Sequence, residues 1–124
     1  MKLKVKDLRV GNLLLFPFHN EVVEVVGLPM LPNGKQGIQV YTKGAILCEE
    51  LLEQFKPIPL TEEWLLTFGI TKKNGYPYKF NNGYLKIRNG VFFFNYYDIE
   101  IELPYVHTLQ NLYYALTNTE LTCN

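Results

Sequence analysis

The chain predicts an α+β fold: a small SH3-like β-barrel-like N-terminal half, a short linking helix, and a C-terminal four-strand antiparallel meander packed by a last helix. Three observations predict it. β-prone runs broken by turn residues fill residues 1–56, a full set of helix start and stop signals lies between Phe55 and Ile70, and alternating aromatic segments from Tyr76 to Leu103 precede an amphipathic stretch. The expected units are a barrel-like subdomain over 1–56, a linking helix over 57–70, and meander plus helix over 71–124, together one compact body.

In the first half, Lys2, Lys4 and Lys6 alternate with Leu3 and Val5. An extended segment would set the lysines on one side, as a solvated edge or as a phosphate-contacting stripe. Asn12 to Phe18 and Glu21 to Leu28 are apolar runs separated by His19-Asn20, which reads as a two-residue hairpin. Pro29, Pro32, Asn33 and Gly34 mark a loop, Gly37 to Thr42 resumes a strand, and Lys43-Gly44 turns into Ala45 to Cys48. Glu49 to Phe55 reads as a short helical turn.

Thr61 is the expected helix N-cap, with Glu62 and Glu63 in the first turn where the helix dipole favours negative charge. Leu60 and Leu65 have the spacing of a hydrophobic staple, Pro57 and Pro59 keep the incoming chain extended, and Gly69 stops the helix. Trp64, Leu65 and Phe68 share a face, so Trp64 is expected to be buried as the anchor of a joint between the halves.

If Asn82-Gly83, Asn89-Gly90 and Tyr97-Asp98 are two-residue turns, Phe80 opposes Leu85, Ile87 opposes Phe92, and Tyr96 and Phe94 oppose Ile99 and Ile101. One face then collects Tyr76, Tyr78, Phe80, Leu85, Ile87, Phe92, Phe94, Tyr96, Ile99, Ile101 and Leu103. The other collects Lys79, Lys86, Arg88, Phe93, Asn95, Glu100 and Glu102. After Pro104, Val106, Leu109, Tyr113 and Leu116 recur at helical spacing from about Tyr105, with Tyr105 and Leu112 widening the stripe.

Composition bounds the function classes. The 124 residues are 48% hydrophobic and 19% charged, which excludes disorder. Twelve basic and twelve acidic residues cancel, so no global field attracts a polyanion. Two cysteines, Cys48 and Cys123, make no disulfide scaffold, no leader-like apolar stretch opens the chain, and no segment has the roughly 18 apolar residues of a membrane span. A cytoplasmic protein that does not enter a membrane is expected.

The common metal, phosphate and nucleophile signatures are missing, so no catalytic, metal or cofactor-binding residue is assigned and no cofactor is expected. Cys48, His107 and Asp98 could assemble a nucleophile, base and orienting acid, although His107 reads more simply as a half-exposed helix residue. Asp98, Glu100 and Glu102 project from one side of a strand, where carboxylates serve acid-base work or a hard cation; basic neighbours make a solvated face the plainer reading. The loops Asn33-Gly34-Lys35 and Lys72-Lys73-Asn74-Gly75 could touch phosphate or be ordinary surface turns.

Three stretches carry a resemblance: Asp7-Leu8-Arg9-Val10-Gly11-Asn12-Leu13-Leu14, then Pro57 to Leu66 with Phe68-Gly69, and Tyr105-Val106-His107-Thr108-Leu109-Gln110-Asn111-Leu112-Tyr113-Tyr114-Ala115-Leu116-Thr117. Together they resemble an uncharacterised family of small proteins from phages, prophages and mobile elements of gut anaerobic bacteria. The resemblance implies a genomic setting inside a bacterial host cell, and no mechanism or functional residue.

Three functional readings follow. The leading one is a non-enzymatic module that contacts a protein partner through Tyr84, Lys86, Arg88 and Phe93, since aromatics among charges mark binding patches. The second is a nucleic-acid accessory protein using Lys2, Lys4, Lys6 and Lys35 with Phe16 and Tyr41. The third is a small hydrolase using Cys48 or the acidic strand.

Overall fold

A computed structural model describes residues 3–42, 46–71, 78–80 and 83–123. It contains two antiparallel sheets of four strands and two α-helices, an α+β fold. The chain divides into two compact units, residues 1–58 and 59–124.

In the first unit, strands β1 (Leu13–Phe16), β2 (Glu21–Gly27), β3 (Gly37–Tyr41) and β4 (Leu47–Leu51) pair in chain order. Alternation buries Leu14, Phe16, Val23, Val25, Ile38 and Val40, which join Leu8, Leu52 and Phe55 in one core, with Phe16 and Phe55 stacked at 5.0 Å. Asn12, within the Asp7 to Leu14 motif, is fully buried; its Oδ1 accepts from the Arg9 N–H at 2.7 Å and its carbonyl accepts from the Val25 N–H at 2.9 Å. The motif therefore carries a turn that satisfies the oxygen of its own buried amide.

Four expectations for this unit are corrected. The lysine-bearing start is not a continuous extended segment: Val5–Asp7 forms a 3-10 turn closed by Asp7 N–H to Lys4 C=O (3.0 Å), which breaks the alternation that would align the lysines. The first hairpin does not turn on His19-Asn20 alone. Phe16 pairs with Glu21, and Pro17, which has no N–H for the ladder, starts a 3-10 turn that Asn20 closes at φ 47°. Glu49 and Glu50 belong to β4, paired with Gln39 and Ile38, so acidic side chains line an edge strand and only Leu52–Gln54 is helical. Finally, the sheet does not close into a barrel. After the 3-10 turn the chain returns to β1 at one bridge, where Leu15 and Lys56 exchange both backbone hydrogen bonds at 2.9 Å, and Pro57 and Pro59 then lack the N–H groups a longer ladder needs. The expected Lys43-Gly44 turn lies outside the described residues.

The second unit opens with α1 (Glu62–Thr67). Thr61 Oγ1 accepts from the Trp64 N–H at 3.3 Å, while Leu60 and Leu65 are both buried, as a staple requires. At the other end Gly69 takes φ 80°, its N–H reaches the Leu66 carbonyl at 2.9 Å, and the Ile70 N–H reaches Leu65 at 2.8 Å. That pair of bonds is a Schellman stop, which a left-handed glycine makes cheap. The anchor differs from expectation: Leu65 is 0% exposed and Phe68 5%, whereas Trp64 is half-buried, its ring 5.7 Å from Phe68. In a six-residue helix, the narrow buried stripe centres on Leu65 and leaves Trp64 at its margin.

Strands β5 (Tyr78–Phe80), β6 (Gly83–Arg88), β7 (Val91–Tyr96) and β8 (Ile99–Leu103) again pair in chain order. The Asn89-Gly90 and Tyr97-Asp98 turns have the expected registers, Ile87 opposite Phe92 and Tyr96 opposite Ile99. The first hairpin is corrected by two residues: Phe80 pairs with Gly83 and Tyr78 with Leu85, which keeps the parity and therefore the faces. Gly83 is drawn into the strand because the Phe94 ring lies over it, edge-on to Phe80 at 5.7 Å; a Cβ on Gly83 would stand 2.5 Å from Phe94 Cε1 and 2.6 Å from the Asn95 carbonyl. Asn81, Asn82 and Tyr76 lie outside the described residues.

Helix α2 (Val106–Thr117) packs on the inner face, where Tyr113 and Phe80 rings are 5.6 Å apart, and Asn118 ends it at φ 56°. Its buried stripe holds Val106 and Leu109 together with two polar residues, His107 and Gln110. His107 is thus buried, not half-exposed, with its ring stacked on Tyr105 at 5.6 Å. Leu116, expected in the stripe, is 45% exposed.

Candidate functional site

The candidate site is the outer face of the second sheet. Alternation along β6 sends Tyr84, Lys86 and Arg88 to one side, and the registers set Tyr84, Asn95 and Glu100 in one cross-strand row and Lys86, Phe93 and Glu102 in the next. The Arg88 guanidinium carbon sits 4.5 Å from the centre of the Phe93 ring and the same side chain ion-pairs with Glu100. With its amide oriented to satisfy both neighbours, Asn95 accepts from Lys86 Nζ and donates to Glu100 Oε2, each at 3.3 Å. The result is one connected surface network of two cations, an aromatic ring, an amide and a carboxylate. Because Arg88 and Glu100 side chains are 57% and 45% exposed, solvent screens their attraction and the pair orders the surface more than it stabilises the fold.

At the tip of the β7–β8 hairpin, Tyr84, Lys86, Asn95, Tyr97, Asp98, Ile99 and Glu100 line an open groove of about 440 Å³. Tyr84 is 50% exposed and Tyr97 89%. The sequence sets Asn95 on this face and Tyr97 in its turn but marks neither as a contact residue. The signal for Tyr97 was an aromatic residue at a turn position, where it holds φ 54°, a conformation bulky residues rarely accept.

The other candidate residues are dispersed. Cys48 packs half-buried against the first unit's core, with Sγ 4.0 Å from Glu50 Oε1. Asp98 precedes β8 and is exposed, whereas His107 follows β8 and is buried, so a strand of five residues at about 3.3 Å each separates their backbones. Among the described residues no group of three or more histidines, cysteines and carboxylates could hold a metal ion. Lys4, Lys6 and Lys35 are exposed, while Lys2 lies outside the described residues. Phe16, the aromatic grouped with them, is buried and unable to stack on a base, and Tyr41 stands opposite Glu24 in the sheet. The loop Lys72 to Gly75 lies outside the described residues. Among the described residues no helix is long and apolar enough to cross a membrane. Comparison with protein-family models, with curated proteins and with solved structures finds no significant match to this chain.

Proposed function

We propose that this protein is a non-enzymatic interaction module that binds a protein partner through the outer face of its second sheet, with Tyr84, Lys86, Arg88 and Phe93 as the contact residues. One observation carries the reading: Arg88 lies on the Phe93 ring while held by Glu100, so a cation and an aromatic are fixed in place on an exposed sheet. Arginine and aromatic side chains contribute most where interfaces desolvate them, and residues already ordered lose less entropy on binding. The resemblance of the three motifs favours a phage or mobile-element setting, with the protein working in the cytoplasm of a bacterial host. The N-terminal sheet reads as an SH3-like barrel left open; strands in chain order, a 3-10 turn and a return to β1 at Lys56 support that reading.

The test is affinity capture with the intact chain compared with an Arg88→Ala, Phe93→Ala double variant. The expected result is loss of the captured partner with a thermal midpoint shifted by no more than a few degrees. Retention of the partner by a folded double variant overturns the assignment of this face.

A further inference from the structure

Strand β8 is one edge of the second sheet, and its chemistry is asymmetric. A two-residue loop makes Tyr96 and Ile99 a hydrogen-bonded pair, so by alternation Phe94 with Ile101 and Phe92 with Leu103 are bonded as well. The backbone N–H and C=O groups of Glu100 and Glu102 therefore point away from β7, and among the described residues no strand pairs with them. Edge groups of this kind accept an added strand.

The molecule already uses the continuation of this edge in that way. The Pro104 carbonyl, two residues beyond Glu102 and pointing to the same side, accepts from the Leu60 N–H at 3.1 Å, and Pro59 bridges Tyr105 antiparallel. Pro104 has no N–H to offer, so the docked segment stops there and leaves the Glu100 to Glu102 stretch open.

The side chains state what fits. On the inner face Ile99 is 57% exposed and Ile101 38%. On the outer face Glu102 stands beside Phe93 with no cationic partner among the described residues, and the side chain of Glu100, although paired with Arg88, is 45% exposed. A strand laid on this edge places alternate residues beside the isoleucines and beside the glutamates. A second copy does not fit: two-fold pairing of β8 with β8 sets Glu100 opposite Glu102, or one of them opposite itself, and like charges directly opposed destabilise a pair.

We infer that β8 is a strand-addition site for an extended segment of a protein partner in which lysine or arginine alternates with apolar residues. This site uses the outward backbone groups and carboxylates of β8, whereas the outer-face contact residues belong to β6 and β7, so each can fail alone.

The probe is a fluorescent nine-residue peptide of alternating lysine and valine, titrated against the intact chain by anisotropy. Two matched peptides serve as controls, one with glutamate for lysine and one N-methylated at alternate amides. Saturable binding of the parent is expected, with at least tenfold weaker binding of both controls. Glu102→Lys is expected to weaken the parent about tenfold, and Glu102→Gln less, with thermal midpoints unchanged. Glu53→Lys, the same charge change made on the first unit, should leave affinity within about twofold. No binding, equal binding of the methylated peptide, or an equal loss through Glu53→Lys overturns the edge assignment. A concentration-dependent dimer in sedimentation that Ile101→Lys abolishes overturns it too, by making a second copy the occupant.

Discussion

The Tyr78 hydroxyl donates to the Glu62 carboxylate, and burial, the negative charge of Glu62 and that hydrogen bond together raise the phenol pKa above its ordinary value near 10. Glu62 thus serves twice, at the start of α1 and as acceptor for a buried phenol. Below pH 10 the phenol is protonated in both folded and unfolded chains and its contribution is fully present. Above that the unfolded chain loses its proton first, so stability falls as pH rises until the folded pKa is passed. Urea midpoints followed from about pH 9 to about pH 11 should decline, and Tyr78→Phe should remove part of the decline; an identical slope in the variant would show that the phenol is not coupled to folding. At this scale sequence is a weak guide. Nothing in the spacing of Glu62 and Tyr78 announces their contact, because it depends on where a helix start meets a strand. Likewise His107 and Gln110 sit in the buried stripe of α2 because the helix meets its sheet over a broader arc than its leucines and valine define.

Elements were more legible, since their signals are local. Thr61, the two glutamates, Leu60 with Leu65, and Gly69 each do in α1 what their types predict. Which side of so short a helix is deepest is a tertiary matter, and Leu65 holds that position in place of Trp64. Leu65→Ala should therefore cost about 2–5 kcal/mol in chemical denaturation, and Trp64→Ala less. The reverse order would return Trp64 to the role of anchor. The sheet faces are legible through parity, which survives even a two-residue slip, and this is why the sequence alone puts Tyr84, Lys86, Arg88 and Phe93 together. The slip itself came from packing: the Phe94 ring over Gly83 outweighs the preference of Asn82-Gly83 for a turn. The unclosed first sheet has a similar cause, since two prolines following Lys56 end the return to β1 after one bridge.

For the molecule as a whole, two compact units within one short chain give two local reporters. The single tryptophan, Trp64, lies in the second unit, and Cys48 packs against the core of the first. In a Cys123→Ser background, Val25→Ala opens a cavity beside fully buried neighbours and should lower stability read by Cys48 thiol labelling by about 1–3 kcal/mol. The Trp64 emission midpoint is expected to move less than the labelling midpoint. Equal shifts of both probes would show one cooperative unit. Equal numbers of acidic and basic residues, read directly from the chain, leave binding to local patches such as the Arg88 network in place of a whole-molecule field. Each sheet also pairs only strands that follow one another along the chain. On the ribosome a strand therefore finds its neighbour as soon as it emerges. Residues 59–124 take about 3–13 s to make at about 5–20 residues per second. That interval lets the first sheet form while the second is still being made, so the aromatic strands of the second emerge after the strands of the first have found their partners.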